Sequence, residues 1–156
     1  MIKRLSLTAI ISASWYFIAS VWLVFIVSCN LRLLISDTDS LAQHYFIQVQ
    51  RLSPKLNNYT TVWSNWYQGL MIKKIIGVAG DKICCQDDKL FVNEVAIGSL
   101  QPTATDGRVL HPIKSQIIPA GYVFLAGTHP RSFDSRYEEL GLIAIGALQG
   151  LVFPLF

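Results

Sequence analysis

Charge is scarce in this 156-residue sequence. Asp, Glu, Lys and Arg make up 15% of it, against about 25% in an ordinary soluble chain. With 52% hydrophobic residues, that shortage excludes a disordered chain. It also excludes a nucleic-acid binder that works through a basic surface. Cysteine is scarce as well. Three residues are too few for a disulfide scaffold. No internal repeat is visible, and no ligand pair has the spacing of a metal site, so neither a metal nor another cofactor is expected. The length allows one domain with little left over for a second.

The formal charge of +3 is less informative than its location. Lys3, Arg4 and Arg32 supply the excess, and from Ser36 onward ten basic residues face ten acidic ones. The excess flanks an apolar block, which is a membrane pattern rather than a phosphate-binding one. Leu5 to Cys29 is twenty-five residues without a charge. A helix of that length spans about 37 Å, enough for a hydrocarbon core of about 30 Å. Trp15, Tyr16 and Trp22 lie inside it. Basic residues before it, and Asp37 and Asp39 soon after, orient the N-terminus to the cytoplasm and the rest across the membrane. The core is longer than that of a cleaved signal peptide, and no A-x-A-like site closes it. Ile26-Val27-Ser28-Cys29 also has the form of a lipidation site, in which the cysteine would become the new N-terminus. The expectation is an uncleaved single-pass anchor, with a division into residues 1–34 (cytoplasmic stub and anchor) and 35–156 (a domain outside the cytoplasm).

The remainder reads as mostly β. Short apolar runs at Lys73–Val78, Lys82–Cys85, Leu90–Val92, Ile113–Ile118, Tyr122–Leu125 and Leu142–Ile145 lie between Gly, Pro, Asp and Asn. Such runs are strands and turns. Gln86-Asp87-Asp88-Lys89 has the form of a hairpin turn. Convincing 3.6-residue periodicity is rare after Leu34. Leu142–Phe156 is apolar, but too short to cross a membrane and interrupted by Gly146, Gly150 and Pro154, so it is expected to be a closing strand. In Ser53–Gln68, Trp63, Trp66 and Tyr67 sit among small polar residues. That segment reads either as a strand pair or loop with buried aromatics, or as a rim dipping into the bilayer interface.

Three segments carry candidate chemistry: Asp37-Thr38-Asp39-Ser40-Leu41, the stretch from Met71 to Asp81, and the stretch from Gly127 to Tyr137. Taken alone, each has an ordinary reading as a cap or turn, a solvated strand edge, or a turn with one surface ion pair. A serine becomes a nucleophile only if a neighbouring base takes its proton. Lysine can be that base only when neutral, and burial against apolar side chains favours the neutral form. On a strand Lys73 and Lys74 point to opposite faces, so one of them can enter a site. His44, His111 and His129 could in principle complete a Ser–His–Asp triad with Ser40 and Asp134, but nothing in their spacing favours it. Cys84 and Cys85 are adjacent, where a disulfide would be strained; they read as two small strand residues.

In this order the segments resemble the type I signal peptidase family of membrane-anchored serine proteases. The matching pieces are Ser40 just after the anchor, Lys73 before Gly77-Val78-Ala79-Gly80-Asp81, and Ser132-Phe133-Asp134-Ser135-Arg136. The likeness is greatest to the short branch that processes pilin subunits in bacterial conjugation. Its last box resembles His129-Pro130-Arg131-Ser132-Phe133-Asp134-Ser135-Arg136-Tyr137. Ala79 departs from that pattern, standing where a proline is usual, and Leu41-Ala42 and His44 depart around the serine.

The resemblance implies a β-rich signal-peptidase-like catalytic domain and a Ser40–Lys73 dyad. Its oxyanion donors would be the Ser40 N–H and the Thr38 hydroxyl. Ser132 would orient the lysine, with Asp134 and Arg136 as a supporting ion pair. It further implies an endopeptidase of the bacterial inner membrane, with its catalytic domain in the periplasm. The substrate would be a membrane-inserted precursor cut after small residues, such as a conjugative pilin precursor. The expected partners are that precursor and the lipid bilayer, with no nucleic acid. Two alternatives stand beside this: a general signal peptidase for secreted proteins, and a catalytically inactive membrane-anchored β-domain that binds a secretion-machine partner.

Overall fold

The computed structural model describes residues 7–36 and 40–155. A helix α1 (Leu7–Cys29) opens it. It is followed by β1 (Leu31–Ile35), β2 (Tyr45–Val49), β3 (Tyr59–Ser64), β4 (Gly69–Gly77), β5 (Lys82–Gln86), β6 (Lys89–Val92), β7 (Val95–Ser99), β8 (Gln116–Ile117), β9 (Tyr122–Ala126), β10 (Ile143–Ala144), a single 3-10 turn (Ile145–Ala147) and β11 (Leu151–Pro154). After the helix the chain is mostly β, as its composition implies.

The strands form two sheets. One has the order β1-β2-β11-β3-β4-β9-β10 and the other β7-β6-β5-β8. The expected hairpin at Gln86–Lys89 joins β5 to β6. Asp87 and Asp88 both take positive φ there, 49° and 57°, as a two-residue turn between twisted strands requires. The apolar run at Ile113–Ile118 forms only the two-residue β8. The C-terminal stretch is divided between β10 and β11. β11 does not close an edge but lies inside the large sheet between β2 and β3. β1 occupies Leu31–Ile35 and pairs with β2 along its length, so the division expected between residues 34 and 35 falls within a strand.

β3 accounts for the centre of Ser53–Gln68. Its inward residues Thr60, Val62 and Ser64 are buried, and Trp63 on the opposite face is exposed. Tyr67 is exposed too, so of the three aromatics only Trp66 is partly covered, stacked on Phe133 at 5.4 Å between ring centroids. Alternation puts Trp63 on the face opposite Val62, and on that face Thr61 is buried while Trp63 lies open.

One apolar cluster joins the two sheets and another lies on the large sheet alone. Ile83, Leu90, Val92, Ile113, Ile118, Phe124 and Ala126 form one, and Val62, Ile75, Val123, Leu125 and Ile143 the other. β4 reaches both. At its end, a Cβ on Gly77 would stand 2.8 Å from Ile118 Cδ1 and 3.1 Å from Phe124 Cβ, so a larger residue would make both side chains shift. The turn beyond it is tied by Asp81, whose carboxylate accepts from Val78 N at 2.8 Å and Asn93 Nδ2 at 2.7 Å. Ala79 leaves that turn intact.

Among the described residues no helix is long and apolar enough to cross a membrane. The side chains of Leu7–Ile10, Ala13 and Cys29 lie outside that set. The backbone of α1 is helical for 23 uncharged residues, and every side chain described from Ile11 to Ser28 is exposed.

Candidate active site

Lys73 is the centre of the arrangement. It sits mid-strand on β4, opposite Thr60 of β3. Strand alternation sends Lys73, Ile75 and Gly77 inward and leaves Lys74 half-exposed. Lys73 retains only 2% of its surface. Its Nζ donates to Ser132 Oγ at 2.7 Å. Burial lowers its pKa from 10.5 to about 8; Asp134 opposes that shift and Arg136 adds to it. An ammonium sealed from water is disfavoured, which is how a lysine becomes a base near neutral pH.

The loop from Gly127 to Tyr137 forms the wall facing Lys73. Ser132, Phe133, Asp134, Ser135, Arg136 and Tyr137 are all buried. Asp134 Oδ1 accepts from Arg136 Nε at 2.8 Å and its Oδ2 from Arg136 Nη2 at 2.9 Å and Gly127 N at 3.0 Å. Arg136 donates onward to the carbonyls of Pro130 (2.8 Å), Ser132 (2.8 Å) and Ser99 (3.2 Å). Burial alone would pull the guanidinium's pKa down, but the bonds from Asp134 outweigh it and hold it above the ordinary value. With the His129 carbonyl at 3.4 Å, the pair thus fixes four carbonyls and, through them, the position of Ser132. Ser135 ties the same loop to β9 through its N–H to Leu125 O at 3.0 Å and its hydroxyl, which accepts from Leu125 N at 3.1 Å.

Ser40 occupies a turn after β1 and lines the same groove as Lys73 and Ser132. The groove measures about 590 Å³ and is further walled by Ile35, Leu70, Met71, Ile72 and Phe133. Leu41, the next residue, is buried against Phe46 and Val152, which pins the turn to the large sheet. The Ser40 carbonyl accepts from Thr128 N at 2.9 Å, His129 N at 3.3 Å and Thr128 Oγ1 at 3.4 Å. A Cβ on Gly127 would stand 2.7 Å from that carbonyl and from Ser132 Cβ. Glycine is what lets the Ser40 turn and the Ser132 loop meet.

The fold therefore brings Ser40, Lys73, Ser132, Asp134 and Arg136 into one region. Thr38, with Asp37 and Asp39, lies outside the described residues. Residue-by-residue reading passed over Gly127, Thr128 and His129 as contacts of the Ser40 turn. The glycine at the start of the last box was the available signal. Of the three histidines, His129 lines the groove with Ser40 and Lys73. His44 Nδ1 lies 3.1 Å from Ser36 O, His111 Nδ1 2.8 Å from Glu139, and His129 Nδ1 accepts from Arg131 N at 3.1 Å. Cys84 and Cys85 are both free. Among the described residues no group of three His, Cys, Asp or Glu is placed to hold a metal ion.

The sequence profile of the family described as signal peptidase, peptidase S26, matches residues 5–156, and the chain belongs to that family. It is similar to the conjugal transfer protein TraF of Agrobacterium fabrum, at 29% identity over 92 residues, or 58% of this chain. The match covers 51% of that relative, so the chain spans about half its length. A solved signal peptidase I from Enterococcus faecalis V583 aligns at 21% identity with a TM-score of 0.41, covering 63% of this chain and 95% of that one.

Proposed function

We propose that this member of the signal peptidase family is a membrane-anchored serine endopeptidase in which Ser40 is the nucleophile and Lys73 its general base. The observation that carries the reading is the buried lysine, its pKa near 8, in a groove it shares with a serine. A neutral lysine amine has two N–H bonds and one lone pair. With one N–H directed to Ser132 Oγ, the lone pair remains for the proton of Ser40. Ser40 Oγ would attack the scissile carbonyl as Lys73 takes that proton, and the ammonium would return it to the leaving amine. The Ser40 N–H and the Thr38 hydroxyl are proposed as donors to the oxyanion.

The substrate is proposed to be a membrane-inserted precursor cut after small residues, specifically a pilin precursor of a conjugative system. The similarity to a conjugal transfer protein supports that choice over general secretory processing. The uncharged, exposed helix α1 and the basic residues before it support a single-pass anchor in the bacterial inner membrane, N-terminus in the cytoplasm and β domain in the periplasm.

The test is cleavage of a co-expressed precursor by the full chain. Ser40→Ala and Lys73→Ala should each abolish cleavage in a protein that still folds, while Lys74→Ala retains substantial activity. Only the neutral amine accepts a proton, so the rate should rise with pH through about 8. Replacing His44, His111 and His129 together should leave that limb in place. Near-normal cleavage by Lys73→Ala would overturn the dyad.

A further inference from the structure

Several basic side chains of the β domain are matched by a carboxylate. Arg136 pairs with Asp134 at 2.8 Å, Arg108 with Asp106 at 2.6 Å and Lys114 with Glu138 at 3.7 Å. Lys73 is bonded to Ser132. Arg131 differs. Its side chain is exposed, has no hydrogen-bond or ion-pair partner among the described residues, and lines both the Ser40–Lys73 groove and a smaller recess beside it. No Asp or Glu stands among the described residues lining either space.

The backbone around Arg131 is nevertheless held tightly. Its N–H donates to His129 Nδ1 at 3.1 Å, and the carbonyls before and after it, of Pro130 and Ser132, each accept from Arg136 at 2.8 Å. A guanidinium without a partner among the described residues thus stands on a fixed backbone at the edge of the groove. The ordering of its backbone is already accomplished before any ligand arrives, which favours binding. A guanidinium presents a planar fork of donors suited to a carboxylate.

We propose that Arg131 is a specificity-determining residue of this groove, pairing with an acidic side chain of the precursor segment that lies beside the scissile bond. The inference deepens the peptidase reading above and rests on it. Specificity of this kind is a difference between substrates, so it is read as a ratio.

The experiment uses the full chain in detergent carrying Ser40→Ala, so that binding is measured without turnover. The probes are fluorescent peptides with an apolar stretch leading to a small-residue cut site, each carrying Glu, Gln or Lys at one flanking position. At one position Glu should bind about tenfold tighter than Gln, as a charge-assisted hydrogen bond allows, and Lys more weakly than either. Adding Arg131→Gln should bring the Glu/Gln ratio near one, and Arg131→Lys should give an intermediate ratio. Arg131→Glu should reverse the preference to Lys. Melting curves establish that each variant is folded. A peptide set with no charge-sensitive position, or a profile unchanged by Arg131→Glu, overturns the inference. Absence of turnover by the Ser40 parent overturns the peptidase reading instead, so the two failures are told apart.

Discussion

Asp106–Arg108 and Asp134–Arg136 share one sequence pattern, an aspartate two residues before an arginine. Both make close contacts, 2.6 Å and 2.8 Å. They differ in where the fold places them. The side chains of the first pair keep 45% and 39% of their surface, those of the second 1% and 0%. Arg108 stacks over Trp66 at 4.0 Å and donates to the Trp66 carbonyl, about half exposed. Arg136 spends its donors on the carbonyls that shape the Ser132 loop. Identical local chemistry yields a solvated brace in one case and a structural hub in the other. Exposure lets solvent screen the first pair, and burial denies that screening to the second.

Removing one partner of each pair sharpens the contrast. Asp134→Asn leaves the Arg136 guanidinium buried without its counter-charge and is expected to cost about 3–5 kcal/mol. The loop that holds Ser132 should loosen with it, so cleavage falls together with stability. Denaturant titration and precursor cleavage on the same preparations measure both. A variant as stable as the parent would mean that the carbonyl network holds the loop without the ion pair.

Lys73 gives the next largest effect, in the opposite direction. Its pKa falls from 10.5 to about 8 on folding. Between those values the unfolded chain binds a proton that the folded chain has released, so stability should rise with pH across that window. Below about 8 both states hold the proton and the penalty for burying the ammonium is complete. Lys73→Met removes the penalty and forfeits the bond to Ser132. The balance at pH 7 is a gain of about 2 kcal/mol, with cleavage lost. Unfolding midpoints at pH 7 and pH 9 should show a rise in the parent that the variant lacks. A destabilised variant would place the cost of an unpaired Ser132 above that of the buried charge.

The smallest effect belongs to Asp106→Asn. The exposed pair should contribute little, and that little should disappear at high salt. Melting curves at low and high ionic strength test it. A large loss that survives salt would show that the two Asp-x-Arg pairs are not distinguished by burial.

Much of the fold was legible where local chemistry decides it. The Asp87-Asp88 turn was readable because few sequences tolerate two consecutive residues with positive φ. Alternation on β4 separated Lys73 from Lys74. The inserted β11 was not readable, since an apolar run states that it will be covered and not between which strands. The two readings of Ser53–Gln68 could not be separated in sequence; in the fold Trp63 and Tyr67 are exposed, with Val62 on the inward side of β3. That Ser132, Asp134 and Arg136 fall in one loop was readable from a single box. The clamp of Thr128 and His129 on the Ser40 carbonyl was not, because those bonds join segments some ninety residues apart.

The sequence by itself determined the uncharged block before the β domain, the turns set by Gly, Asp and Asn, and the order of a serine, a lysine and a terminal Ser-Phe-Asp-Ser-Arg box. Those follow from residue type and spacing, which act over a few bonds. The tertiary structure decided that Lys73 is desolvated, that Asp134 and Arg136 are buried where Asp106 and Arg108 are not, and that Gly127 lets two distant loops touch. Burial is set by neighbours, and here the neighbours come from β3, β4, β9 and the loop from Gly127 to Tyr137. No stretch of chain carries its own dielectric, so the properties that make a lysine a base appear only when those segments meet.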